Sequence, residues 1–205
     1  DVPLDAIITS PLDRCRETAE AIAAARDGSA PAIQEDEQFA EVKYGDWTGQ
    51  PLKKLAKEPL WRVVQAHPSA AVFPGGEGLA QVQARAVFAV REHDRRLSDE
   101  HGGDALWVAC THGDVIKALI ADAYGIHLDG FQRVTADPAS VSVIRYTPLR
   151  PFVLHVNHTG GRLAAALRAG PPPKSEAESD KPEEPQQEST GAASSSDAVV
   201  GGSTD

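Results

Sequence analysis

Two places in this sequence run an apolar, strand-forming segment straight into a helix start, and they restrict the possible folds more than any other feature. The first is Ala6-Ile7-Ile8-Thr9 followed by Ser10-Pro11; the second is Ala105 to Cys110 followed by Thr111-His112-Gly113. In the first, Ser10 suits an N-cap, Pro11 the first helical position and Asp13 a capping-box-like place, and Leu12, Cys15, Ala19, Ile22 and Ala23 then recur at helical spacing. In the second, six consecutive apolar residues predict a strand covered on both faces, and the helix beyond carries Val115, Ile116, Leu119, Ile120 and Ala123 up to a stop at Gly125.

The intervening and following segments fit the same plan. Ile33 to Val42 reads as a mixed polar connection, and Phe39 to Gln50 as strand end and loop punctuated by Gly45 and Gly49. Leu52 to Ala66 is helical with an interruption at Pro59, Phe73-Pro74-Gly75-Gly76 is a loop, and a longer helix is predicted from about Leu79 to Leu97. Val141 to Tyr146 and Phe152 to Val156 predict a hairpin near the sheet edge. Strands alternating with helices give the α/β class, a three-layer α/β/α arrangement on a mostly parallel open sheet. One domain is expected over residues 1–168, followed by a Pro/Glu/Ser-rich tail over 169–205 that is too poor in apolar residues to fold.

Charge and cysteine usage exclude several functions. Residues 171–205 hold two lysines and eight acids, a net −6 out of the chain's −10, so the body is only mildly acidic and lacks the basic stripe that nucleic acid requires. No apolar run is long enough to cross a membrane. Cys15 and Cys110 stand alone among apolar residues with no metal-ligand spacing around them, which predicts free thiols, a reducing cytoplasmic setting, and neither metal nor cofactor. Methionine is absent and the first residue is Asp1, so the reading expects the natural fold to begin upstream. Nothing in the pattern speaks to oligomeric state.

Polar residues at the carboxyl ends of strands, followed by helix starts, are where open α/β sheets bind ligands. Free N–H groups there favour an anion, and a guanidinium in the first turn supplies a planar multi-donor partner for phosphate. Arg14 and His112 occupy such positions.

Four segments occur in one order: Ser10-Pro11-Leu12-Asp13-Arg14-Cys15-Arg16-Glu17-Thr18-Ala19, Glu41 to Gly49, Pro74-Gly75-Gly76-Glu77, and Thr111-His112-Gly113. Together they resemble the histidine phosphatase superfamily over about Ile7 to Val156. The resemblance implies a phosphatase or phosphomutase acting on a small phosphorylated substrate through a phosphohistidine. It gives Arg14 the role of phosphate clamp, His112 that of a donor to the transferring group as an imidazolium, and Ser10 and Gly113 places in the substrate pocket. Glu41 is the implied proton donor, with Glu77 as its rival. The family's opening Arg-His-Gly, which carries the nucleophile, is nowhere in these 205 residues, so the polypeptide as written is expected to be inactive.

Phosphoglycerate mutases in this family usually place Arg after the acid and Leu where Trp47 stands; here the neighbour is Val42, which is closer to the broad phosphatase branch. Specificity is expected in a cap over about residues 51–78, where Lys53, Lys54, Trp61 and Arg62 either shape the pocket or form a solvated amphipathic helix. The alternative from another class is a non-catalytic phosphate-binding or protein-interaction module on the same fold.

Overall fold

The computed structural model describes residues 3–26 and 28–160; the tail predicted over 169–205, and the domain end predicted at 168, lie outside them. Three short strands form a parallel sheet in the order β2-β1-β3, with β1 Ala6–Thr9, β2 Ile33–Glu35 and β3 Trp107–Cys110. β1 is central and wholly buried. Its residues alternate between two faces, as the period of an extended chain requires. Ile7 joins Cys15, Ala19 and Cys110 beneath α1 (Asp13–Ala24). Ala6 and Ile8 join the larger core with Phe39, with Val82, Ala86 and Val90 of α4 (Leu79–His101), and with Val115, Ala118 and Leu119 of α5 (Gly113–Tyr124). That core also takes in residues of α2 (Leu52–Leu55) and α3 (Pro59–Ala66), where Pro59 stands in the first turn of α3 and so divides the two helices.

Helix ends follow local chemistry. Gly102 (φ +70°) and Gly125 (φ +66°) close α4 and α5 in the left-handed conformation that costs glycine least. α1 departs from expectation at its start. Helical geometry begins at Asp13, no side chain caps the helix, and Asp13 pairs with Arg16 rather than completing a capping box. Ser10 Oγ accepts the Leu12 N–H only at a long 3.4 Å and lies closer to His112 across the sheet, at 2.8 Å.

Three further expectations are corrected. Ile33–Glu35 is a strand rather than part of an irregular connection; it is short, with Gln34 and Glu35 exposed, so it carries too little hydrophobic pattern to be read locally. β3 is only partly covered: Leu106 before it is 43% exposed and Trp107, Val108 and Ala109 are intermediate, because β3 pairs with β1 on one edge and with no strand on the other among the described residues. The hairpin of β4 (Val141–Arg145) and β5 (Phe152–His158) forms its own two-stranded antiparallel sheet instead of an edge of the main one. α5 nevertheless packs against both hairpin strands.

Candidate active site

Register places the chemistry. β1 and β3 run parallel with Thr9 opposite Cys110, and the Ser10 N–H donates to the Cys110 carbonyl at 2.8 Å, so the two junctions lie side by side at one end of the sheet. β2 ends level with them, Thr9 opposite Glu35, and the Asp36 N–H donates to the Thr9 carbonyl at 2.9 Å. The chain then passes through one short turn of helix, Glu37–Phe39, and arrives at Glu41. Between β1 and β3 the following helices leave to opposite faces of the sheet, which is the crevice where ligands bind in open α/β folds.

Three side chains converge there. His112 is 4% exposed; its Nε2 lies 2.8 Å from Ser10 Oγ and its Nδ1 lies 3.0 Å from Arg14 Nη2. Because a guanidinium can only donate, Nδ1 accepts and the ring proton sits on Nε2, donated to Ser10. Glu41 Oε2 approaches Arg14 Nη2 at 3.6 Å and His112 Nδ1 at 3.5 Å. The other carboxyl oxygen, Oε1, accepts the Val42 N–H at 3.0 Å, which locks the rotamer. Arg14 keeps 39% of its side chain exposed and so presents donors outward as well as inward.

Burial sets the protonation states. Desolvation pushes the Glu41 carboxyl up to about 7; the Val42 N–H opposes this, Asp114 adds to it, and Arg14 and Arg85 oppose it. Desolvation first, then the charges of Arg14 and Arg85, lower the His112 imidazole to about 4. With no anion bound His112 is therefore held neutral, and its 3.5 Å approach to Glu41 is no full ion pair. Cys15 Sγ also lies 3.5 Å from His112 Nε2, which invites comparison with a Cys-His nucleophile pair. Burial raises the Cys15 thiol, however, and Ser10 stands closer to Nε2, so the thiol is not activated.

With the geometry in place, comparisons add the ancestry. The sequence model described as histidine phosphatase superfamily (branch 1) matches residues 1–159. The chain belongs to the histidine phosphatase superfamily. A comparison with curated proteins finds no match. Among solved structures, YhfR of Bacillus stearothermophilus is 28% identical with a TM-score of 0.66, covering 77% of this chain and 75% of that one. A mycobacterial glucosyl-3-phosphoglycerate phosphatase bound to inorganic phosphate is 22% identical with a TM-score of 0.66, over 76% of this chain and 78% of its own. A phosphoserine phosphatase from Entamoeba histolytica shares the fold at 18% identity and a TM-score of 0.64, over 76% and 74% of the two chains.

The remaining histidine phosphatase segments now have physical roles. Glu77 pairs with Arg85 at 2.8 Å and accepts the Lys43 N–H at 2.8 Å. Burial opposes its ionisation, but the Arg85 and Lys43 hydrogen bonds outweigh that and hold it below the usual carboxylate range, so it is a poor proton donor. Gly113 opens α5, and a methyl group on it would meet nothing closer than the Ala136 carbonyl at 3.7 Å, an ordinary contact. In the cap, Trp61 stacks on Trp47 at 6.2 Å, whereas Lys53, Lys54 and Arg62 are exposed, with Lys54 held by Gln50.

Tyr44 and Asp114 carried no assignment from the sequence, although Tyr44 lies within the Glu41 to Gly49 segment and Asp114 directly follows Thr111-His112-Gly113. The Tyr44 hydroxyl donates to Asp114 Oδ2 at 2.9 Å, and Lys117 approaches Oδ1 of the same carboxylate at 3.2 Å. Asp114 is one cause of the raised Glu41 carboxyl, so Asp114→Asn is expected to move the Glu41 titration toward lower pH, read by carboxyl-carbon NMR. A cavity of about 280 Å³ whose lining includes Leu12, Arg14, Glu41, Val42, Lys43 and Tyr44 opens beside two of the three side chains, Arg14 and Glu41. A larger depression of about 790 Å³ on the cap, bordered by Lys57, Arg62, Val63 and His67, contains none of them, and we place no chemistry there.

Proposed function

We propose that this protein is a phosphoric monoester hydrolase acting on small phosphate monoesters through a phosphohistidine. The observation that carries the reading is the meeting of Arg14, Glu41 and His112 at adjacent strand tips, with Glu41 poised near neutrality. A general acid works best when its pKa lies near the operating pH. The cavity of about 280 Å³, lined in part by Arg14 and Glu41, lies just below the usual range for ligand sites, so only a small monoester would fit it.

In this mechanism the phosphoryl group lies against the Arg14 guanidinium and the first turn of α5. A bound dianion draws a proton onto His112 Nδ1, the reverse of the state in the free site, and the imidazolium then donates to a phosphoryl oxygen. A nucleophilic imidazole attacks phosphorus in line, the ester P–O bond breaks, and Glu41 gives its proton to the departing oxygen. Water next attacks the phosphohistidine, Glu41 takes up the water proton, and inorganic phosphate leaves. Positioning and fixed charge supply most of the acceleration.

His112 is committed to Ser10 and Arg14, so the attacking imidazole is a different one. We assign it to an Arg-His-Gly segment beyond these 205 residues, paired along the edge of β3 that carries no strand among the described residues. The deciding experiment reads the coding sequence upstream of Asp1 and assays the longer chain with p-nitrophenyl phosphate, trapping an acid-labile, alkali-stable phosphoenzyme. Another residue in place of that histidine, with phosphate binding retained, converts the site into a binding module.

Glu41→Gln in the longer chain is expected to lower kcat/KM by ~10²-fold or more on alkyl phosphates and far less on p-nitrophenyl phosphate, whose leaving group needs no proton. For alkyl phosphates kcat/KM should fall as pH rises through about 7, because the raised carboxyl is protonated below that value and lost as an acid above it. An alkaline limb that persists unchanged in Glu41→Gln assigns the titration to another group.

A further inference from the structure

Arg85 lies on α4, in no motif that the sequence singled out, yet it makes five hydrogen bonds to the strand of chain around Glu41 and to Glu77. Its Nη1 donates to the Gln38 carbonyl, and its Nη2 donates to the Ala40 carbonyl at 2.9 Å and to the Glu41 carbonyl at 3.3 Å. The remaining donors clasp Glu77, Nε to Oε2 at 3.1 Å and Nη2 to Oε1 at 2.8 Å. Glu77 in turn takes the Lys43 N–H through Oε1, while its own N–H donates to the Lys43 carbonyl at 2.9 Å. The pair therefore grips backbone before Glu41 and after it. Both side chains are largely buried, 17% and 15% exposed, where charge-assisted hydrogen bonds are strong and geometrically demanding.

We propose that Arg85 is a positioning residue which, with Glu77, fixes the backbone on both sides of Glu41 so that its carboxyl stays aimed between Arg14 and His112. The inference rests on the role assigned to Glu41 above. Without the clasp, the segment Gln38 to Lys43 has three carbonyls and one amide to satisfy by other means, and the Val42 N–H that holds Glu41 Oε1 moves with them. Lysine cannot replace the arginine, because one ammonium lacks the fork that reaches backbone and carboxylate together. The groups facing Glu41 are Arg14 from α1, His112 and Asp114 at the start of α5, and Arg85 from α4, so any drift of the loop changes all of its electrostatic neighbours at once.

The test uses Arg85→Lys and Glu77→Gln with two readouts. In the 205-residue chain, hydrogen exchange of the Val42 and Lys43 amides should speed up by ~10-fold or more in Arg85→Lys, with the β1 and β3 amides unchanged. In the nucleophile-bearing chain, Arg85→Lys should lower kcat/KM on alkyl phosphates by ~10- to 30-fold and on p-nitrophenyl phosphate far less, leaving the inhibition constant of inorganic phosphate within about 2-fold. Glu77→Gln keeps an acceptor for Lys43 and should show the same pattern more weakly. Equal losses on alkyl and p-nitrophenyl phosphate, or phosphate affinity falling in step with kcat/KM, overturn the positioning role. If Arg85→Lys does not fold, Glu77→Gln decides by the same readouts. Accelerated exchange in a protein that never turns over a phosphate ester rejects the phosphatase reading and keeps the clasp; normal turnover with unaltered exchange rejects the clasp alone.

Discussion

Arg14→Ala is expected to lower kcat/KM for p-nitrophenyl phosphate by ~10³-fold in the nucleophile-bearing chain, and to abolish measurable binding of inorganic phosphate by the 205-residue chain. The guanidinium lies 3.0 Å from His112 and 3.6 Å from Glu41, yet 39% of its side chain faces solvent, so its free donors are directed where an anion enters. Removing one preorganised donor from an oxyanion costs ~10²- to 10³-fold, and an arginine contributes more than one charge-assisted bond. Arg14→Lys should recover little, since a point charge does not reproduce the fork. Thermal stability should change little, because a partly exposed side chain held by one hydrogen bond to His112 and one long contact to Glu41 contributes little to folding. Calorimetric titration with phosphate and a melting curve measure both sides. Undiminished phosphate affinity in Arg14→Ala places the anion elsewhere.

The largest expected effect on stability comes from Gly76→Ala. A methyl group there would stand 2.0 Å from the Lys43 carbonyl oxygen and 2.9 Å from the Gly45 nitrogen. Across the same contact, a methyl group on Gly45 would stand 2.1 Å from the Pro74 carbonyl oxygen. The two loops are drawn together by the Asp46 N–H on the Pro74 carbonyl at 2.8 Å and the Glu77 N–H on the Lys43 carbonyl at 2.9 Å. All the opposing atoms are backbone, so no side-chain rotation relieves the collision. A cost of about 3 kcal/mol follows, at the upper end for overpacking, and for a domain of this size it corresponds to a fall in Tm of ~6–12 °C. Gly103→Ala is the control: nothing lies within 4 Å of the added carbon, and its melting curve should match the parent. The double-glycine and Gly45 motifs are thus two halves of one backbone contact that carries the Glu41 loop.

Much of the fold was legible because its signals are local. The apolar run Ala6–Thr9, the periodic residues of α1 and α5, Pro59 at the start of α3, and the glycines closing α4 and α5 each report on a few neighbouring residues. β2 was not legible, since three residues with two exposed polar side chains have no pattern of their own and are strand only through pairing with β1. Ser10 was read as a helix cap because Ser-Pro before an amphipathic run has that form; its hydroxyl is instead held by a histidine 102 positions away.

Residue types and their order singled out Arg14, Glu41, Glu77 and His112 as candidates. The fold decided the electrostatic setting of each. Glu41 and Glu77 are alike in sequence terms, both acids in glycine-marked loops, and the tertiary structure separates them: burial near Asp114 lifts Glu41 to about 7, while Arg85 and the Lys43 amide hold Glu77 ionised. His112 is kept neutral in the free site by the same kind of effect, being desolvated beside two guanidinium-bearing residues. Periodicity and turn chemistry are short-range and can be read from a string of residues. Desolvation and Coulomb fields sum over everything within several ångströms, and here those neighbours come from α4, α5 and three separate strand tips.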